Sequence, residues 1–405
     1  MGWTTKGLAD VLFIQEGPGI RKYEYEEDGY PMINVRCVQD GYIDMSKSRS
    51  ANYELATGKW KHFQVEEGDI LYTISGTIGR SAIVKKADLP LLMNTSVVRF
   101  RSLLDELDTK FVYYFFKTPS FINELLGHST GTAIKNVGPS HLKKMCISYP
   151  ALPEQKRIVA ILDQAFADID KARALTEQNL KNARELFESY LQQVFSQRGE
   201  GWSEERLQDV SIEFGRGKSK HRPRNDPVLY GGEYPFIQTG DVRNCEHLIT
   251  SFSKTYNEAG LAQSKLWPKG TICITIAANI AETGILDFDG CFPDSVIGIV
   301  VDPKLTTISY VEYLLQSFKI ILQAQGKGSA QDNINLGTFE NMKFPFPSLD
   351  EQEKIVHQLS GLMTHVQELE KIYQMKIEQI DELKKSLLQK AFTGELTNNI
   401  DGAAA

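Results

Sequence analysis

The chain has 405 residues and a formal net charge of −7, room for two or three domains at roughly 150 residues each. The acidic balance argues against a wholly basic polymer binder but leaves room for local basic faces, since affinity follows where charge sits. Five scattered cysteines without a CxxC pair argue against a disulfide framework or zinc knuckle and fit a reducing cytoplasm, and neither a membrane-length apolar run nor a signal-peptide pattern is present.

Residues 1–149 read as a first domain of mixed α and β type. Trp3, Leu8 and Val11 predict a short opening helix. Alternation predicts strands at 31–38 and 69–76, then at 81–84 and 96–100, with Gly, Pro and Asp at the turns. Residues 110–118 read as a helix, because 118–127 continue with helical spacing to a glycine stop. A long helix then fills 150–198, with Pro150 and Pro153 suited to an extended approach and a first turn. Its apolar residues Ile158, Leu162, Ala165, Ile169 and Ala172, then Ala183, Leu186 and Tyr190, recur in alternating steps of four and three, a coiled-coil seam. Thr176 and Asn179 occupy the middle of that seam. About 40 helical residues span roughly 60 Å.

After a linker at 197–201 (QRGEG), the features recur in the same order through a second domain, 199–346. WSEERLQDV (202–210) echoes WTTKGLADV (3–11), and YPFIQTGDV (234–242) echoes YPMINVRCV (30–38). GTICITIAANIAETGI (270–285) echoes GDILYTISGTIGRSAI (68–83). A second long helix fills 347–396, and 397–405 read as a disordered tail. Pro150 and Pro347, like Glu185 and Glu382, stand 197 positions apart, so the helix repeat needs no gap. The second seam is Ile355, Leu359, Leu362, Val366, Leu369, Tyr373, Ile380, Leu383 and Leu387. Pairing the two stripes antiparallel buries both, with the polar central positions as register devices. The expected fold is α+β: two similar domains, two long helices paired as an antiparallel coiled coil, and a pseudo-two-fold internal repeat.

Enzyme signatures are missing. GKS at 217–219 ends like a P-loop, but the first glycine of that motif would stand at Ile212. There is no GxGxxG after a strand, no NPPY-type tetrapeptide and no HExxH. No catalytic residue, resident cofactor or metal is therefore expected in this chain.

Three loop families have the composition of a nucleic-acid surface. The densest basic run, 215–225, holds Arg216, Lys218, Lys220, Arg222 and Arg224, broken by Gly and Pro. Such a loop follows a phosphate backbone or places an arginine fork on guanine O6 and N7; a merely solvated loop has the same composition. Its counterpart in the first domain offers Arg21, Lys22 and Tyr23, diluted by neighbouring glutamates. The second family follows the strands near Ile74 and Ile276 and offers Thr77, Arg80 and Asn279, where small residues also serve plain turning. The third precedes each long helix and offers Lys135 and Asn136, then Lys327, Gln331 and Asn333. Asn34 and Gln238, from the paired strand motif, suit bidentate adenine contacts or local backbone bonds equally.

The starts LPEQKRIVAILD (152–163) and LDEQEKIVHQL (349–359) and the close LLQKAFTGEL (387–396) resemble the conserved regions of the specificity subunit of Type I restriction–modification systems. GDILYTISGTIGR (68–80) and GTAIKNVGPSHLKKMCISYPALPEQ (131–155) look like that family's target-recognition domains running into those regions. The resemblance covers nearly the whole chain. It implies a non-catalytic DNA reader, each domain contacting one half of a split, asymmetric double-stranded target. It implies helices that space the half-sites and dock two modification (methyltransferase) subunits, which carry S-adenosylmethionine and methylate adenine N6. It further implies restriction subunits that use ATP and Mg²⁺ to translocate and cut. The alternatives are a stand-alone DNA-modifying or DNA-cutting enzyme and a coiled-coil scaffold that binds only protein.

Overall fold

The computed structural model describes residues 2–127, 137–221, 223–277, 280–327 and 334–397. The chain forms two compact units: Met1–Glu177 with Met375–Ala405, and Gln178–Gln374. Each unit therefore takes part of both long helices, whereas the sequence reading set each helix apart as a segment of its own.

In the first unit the opening residues form a strand, Thr4–Gly7, antiparallel to Cys146–Tyr149, so the start of the domain is stitched to its end. The expected opening helix shrinks to Leu8–Val11, whose Leu8 and Val11 are buried. A four-stranded antiparallel sheet follows in the order Leu12–Glu16, Val97–Ser102, Ile70–Thr73, Ser81–Ile83. Val98, Phe100, Ile70 and Tyr72 face one core, while Val97, Leu71 and Ala82 face another. Both faces are covered, so burial runs unbroken through Ile70–Thr73 although alternation was expected there. Each fully buried Val, Ile, Leu or Phe among them contributes about 1.5–3 kcal/mol. A smaller sheet, Arg49–Ala51, Tyr25–Ile33 and Leu92–Met93, carries its own core around Met32 and Trp60. The strand expected at 31–38 stops at Ile33 because Asn34 turns the chain: its Oδ1 accepts from Arg36 N at 2.8 Å and its carbonyl from Cys37 N at 2.9 Å.

The second unit repeats this plan. Ser203–Glu205 pairs antiparallel with Phe344–Phe346. The main sheet runs Ser211–Arg216, Val296–Val301, Ile272–Thr275, Thr283–Leu286, and gains a fifth, parallel strand at Leu248–Ile249. The smaller sheet orders Lys254–Tyr256, Tyr230–Phe236, Gly290–Cys291 and Leu266–Trp267.

The long helices run Leu152–Ser196 and Leu349–Phe392. Each begins with a buried glutamine, the Q of the repeated EQ. Gln155 Oε1 accepts from Asp108 N at 2.9 Å, and its Nε2 donates to Glu106 O at 2.9 Å and Pro150 O at 2.8 Å. Gln352 does the same work, accepting from Thr306 Oγ1 at 2.8 Å and Thr307 N at 3.2 Å and donating to Leu305 O and Pro347 O. Asp108 and Thr307 in turn cap helices Thr109–Phe115 and Ile308–Ser317. The repeated motif is thus a polar bolt between each long helix and the domain before it, and a buried amide is tolerated because its bonds are made.

Within the first unit Asp170 pairs with Lys384 and Arg173 with Asp381; within the second, Arg184 pairs with Glu370 and Tyr190 with Gln358. Rising numbers on one helix meet falling numbers on the other, the antiparallel pairing expected. The seam itself departs from the heptad. Ile158, Leu162, Ile169, Thr176 and Ala183 are buried as predicted, but Ala172 and Asn179 are exposed, and burial then moves to Phe187, Leu191 and Phe195, leaving Leu186 exposed by 54%. On the second helix Ile377, Leu388 and Ala391 are buried, while Leu369 and Leu383 are exposed. These ends pack into domain cores as well as against a helix, and a curved core selects steps of four over a strict 3.5 repeat. Thr397, the first residue of the expected tail, is buried, and 398–405 lie outside the described residues. No helix among the described residues is long and apolar enough to cross a membrane.

Candidate nucleic-acid interface

Both units build the same loop on their main sheet. In the first, Thr73 N donates to Arg80 O at 2.9 Å, Thr73 Oγ1 to Thr77 O at 2.6 Å, and Arg80 N to Thr73 Oγ1 at 3.0 Å. In the second, Thr275 N donates to Glu282 O at 2.9 Å and Glu282 N to Thr275 Oγ1 at 3.0 Å. Each clasp closes through a backbone N–H on the threonine carbonyl: Gly79 at 3.1 Å and Ala281 at 2.8 Å. Both residues need a positive φ, +101° for Gly79 and +63° for Ala281. Glycine adopts this freely and alanine does not. The alternation of small residues was legible; the threonine that ties them was not singled out.

A serine organises the chain in front of each clasp. In the first unit Ser96 O accepts from Ile74 N at 3.1 Å, and Ser96 Oγ from Val35 N at 2.9 Å. In the second, Ser295 O accepts from Ile276 N at 3.0 Å. Val137 N and Ile334 N then close on the carbonyls of Ile74 and Ile276, at 3.2 Å and 3.1 Å. The hairpin loop and the segment before the last short helix are thereby held together in each unit.

Gly17 and Gly217 complete the frame. A Cβ at Gly17 would fall 2.4 Å from Asn94 O, and one at Gly217 would fall 2.2 Å from Phe292 O. Only glycine lets the first strand pass this close. The residues just before them, Glu16 and Arg216, consequently occupy matching strand ends, opposite Val98 and Ile297. Burial pushes the Glu16 carboxyl above the usual range.

In the second unit Arg216, Arg224, Ala277, Asp294, Ser295 and Asn335 line one cleft of about 380 Å³. Arg216 Nε donates to Asp294 O at 2.7 Å, and Arg224 Nη2 lies 2.8 Å from Asp294 Oδ2. A neighbouring cleft joins Arg224 to Ser219, Gln238 and Lys254. The basic run, the hairpin loop and the segment before the last helix thus meet here. Lys218 and Lys220 are exposed on the same run, and Ser264 Oγ donates to Lys218 O at 2.8 Å. Gln238 lies past the end of its strand and leads helix Thr239–Asn244. Asp294, Asn335 and Lys254 were not singled out by sequence; the N-cap pattern at Asn335, which accepts from Thr338 N, was the one available signal.

In the first unit, Thr77 is exposed and Arg80 half-buried on the clasp. Asn34 sits beside Ser96 through Val35 but spends its amide locally, donating to Lys47 O at 3.2 Å. Arg21, Lys22 and Tyr23 are all exposed at the short turn entering strand Tyr25–Ile33, with Arg21 Nη1 donating to the Tyr23 hydroxyl at 3.0 Å. Lys135, Asn136, Arg222, Asn279, Gln331 and Asn333 lie outside the described residues, as does the side chain of Lys327.

The family described as the Type I restriction modification DNA specificity domain matches residues 1–179 and again 199–379. The chain belongs to that family. Its two family domains begin at the two strand stitches and run into the two long helices. Among related proteins, the Type I restriction enzyme EcoBI specificity subunit of Escherichia coli is 23% identical over 433 residues, covering 98% of this chain and 86% of that subunit. A chain from a structure concerned with complex assembly and conformational transition of the type I R-M system is 18% identical, with a TM-score of 0.78 and 98% of each chain covered. The crystal structure of the HsdS subunit from Thermoanaerobacter tengcongensis is 19% identical, with a TM-score of 0.59, covering 98% of this chain and 97% of that one. At such identities the structural likeness speaks for the fold. Among the described residues no group of three His, Cys, Asp or Glu side chains is placed to hold a metal ion.

Proposed function

We propose that this chain is the DNA-reading, non-catalytic subunit of a Type I restriction–modification complex, working in the cytoplasm. Each unit reads one half of a bipartite, asymmetric double-stranded target. Two modification subunits dock on the long helices and bring S-adenosylmethionine; restriction subunits bring ATP and Mg²⁺. The observation that carries the reading is one loop frame built twice, with Thr73 and Thr275, Ser96 and Ser295, and Gly17 and Gly217 in the same roles. On it stand side chains of opposed chemistry: Glu16 against Arg216, and Arg80 against Glu282. Identical frames with different readers suit a target of two unlike halves.

The reading implies that the chain supplies contacts and its partners supply chemistry. Adenine N6 methylation requires the base to leave the stack for a partner's pocket. The test is reconstitution. The full chain with modification subunits should protect two separated segments of one DNA and support adenine methylation. The chain alone, given DNA, S-adenosylmethionine, ATP and Mg²⁺, should neither methylate nor cut; activity that tracks with it would contradict the proposal.

A further inference from the structure

We propose that Arg216 reads a guanine from the major groove in the half-site of the second unit, and that the main-chain carbonyl of Asp294 positions it. This rests on the DNA-reading function proposed above.

Arg216 closes a main-sheet strand, paired with Ile297, so its backbone is fixed by a ladder rather than carried on a free loop. The chain turns immediately after it, where Gly217 N donates to Val296 O at 2.9 Å and the missing Cβ admits the carbonyls of Phe292 and Pro293. The side chain is then held by its Nε on Asp294 O at 2.7 Å. That bond uses the inner edge of the guanidinium and leaves the two Nη groups at its outer end. Those are the paired donors whose spacing matches guanine O6 and N7. The side chain of Asp294 does a second job, pairing with Arg224 at 2.8 Å. Arg224, although exposed, is thereby tied to the protein by an ion pair, and Arg216 is exposed with its Nε held. A contact to phosphate needs charge but not a fixed fork, and a lysine serves there as well. The first unit has Glu16 in place of Arg216 and Thr95 just before its organising serine, where the second has Asp294. The guanine contact is therefore a property of the second half-site alone.

The experiment uses the full chain assembled with its modification subunits, and DNA in which the half-site of the second unit is randomised. Binding is read by sequencing the retained DNA and by the salt dependence of affinity. Arg216→Lys keeps the charge and loses the fork, so preference for guanine at one position should fall roughly 5- to 150-fold while the salt slope stays near wild type. Asp294→Asn keeps the backbone carbonyl that holds Arg216 Nε and releases only Arg224, so non-specific affinity should rise while the guanine preference is retained. Arg216 is exposed, so the unfolding temperature of Arg216→Lys should stay close to wild type. The proposal is overturned if Arg216→Lys retains the guanine preference. It is also overturned if Arg216→Ala weakens all sequences alike with a shallower salt slope, which marks a phosphate contact and leaves the DNA-reading function standing. A wild-type complex with no half-site preference would overturn that function and the guanine contact with it.

Discussion

Thr73 and Thr275 clasp the same loop, yet the sheets behind them are filled by different means. In the first unit Arg99 and Arg101 converge on Asp69, which is fully buried: Arg101 Nε and Nη2 donate to its carboxylate at 2.6 and 2.9 Å, and Arg99 Nη1 stands 3.5 Å away. Arg99 also donates to the carbonyls of Gln64 and His62. In the second unit the matching positions are Thr271, Gly298 and Val300. Gly298 leaves room for Trp267 and Phe292, stacked 5.0 Å apart, and a Cβ there would meet both within 3 Å. One unit supports its loop with a buried ion cluster and the other with an aromatic stack. The lesson is that the frame resides in backbone bonds and close approaches, and that the filling is free to drift so long as those survive.

The comparison can be broken most severely at Asp69. Asp69→Ala leaves Arg99 buried without its counter-charge and should cost the first unit about 3–5 kcal/mol, against little change in the second. Hydrogen exchange resolved by unit checks this. Next come the two bolts. Gln155→Ala and Gln352→Ala each strand buried N–H and carbonyl groups, and each should destabilise its own unit by about 2–4 kcal/mol. Near-equal losses in denaturant unfolding would confirm that the repeated EQ has one structural job.

A smaller difference is pH-dependent. Glu312 is buried where the first unit has Tyr113, and His247 Nδ1 lies 2.9 Å from its Oε2, held by charge and proximity rather than a well-directed bond. Thr283 Oγ1 donates to the other carboxylate oxygen at 2.8 Å. Burial alone would lower the pKa of His247, but the contact with Glu312 and its charge prevail, so it stands above the ordinary histidine value. A raised histidine pKa stabilises the fold fully below the ordinary value near 6.5 and loses that contribution as pH climbs through the raised one. The denaturation midpoint of the second unit should therefore fall as pH rises from about 6 to 8, and His247→Gln should flatten that slope. Smallest of all, Ala281→Gly relieves the positive φ at the clasp and should stabilise the second unit by about 0.5 kcal/mol, whereas Gly79→Ala should destabilise the first.

Much of this order was legible. Alternation located three of the four main-sheet strands of the first unit but missed Leu12–Glu16, and glycine and proline located turns. The seam was legible at Ile158, Leu162, Ile169, Thr176 and Ala183 but failed at Ala172, Asn179 and Leu186, because the helix packs on domain cores as well as on its partner helix. The strand expected at 31–38 ended early because an asparagine side chain outbid the ladder for the backbone. In the candidate interface, the basic run and hairpin loops were visible as composition. Glu16, Asp294 and the two serine hubs were not, since their roles come from chain segments many residues distant.

The account stands on each unit reading its own half of one target. The most direct measurement is the methylated-adenine motif in host DNA, determined by sequencing with the wild-type chain and with Arg216 and Lys218 both replaced by alanine. The account predicts that one half of the motif relaxes or disappears while the other half keeps its bases. A change in both halves together, or an unaltered motif at full methylation, would contradict it.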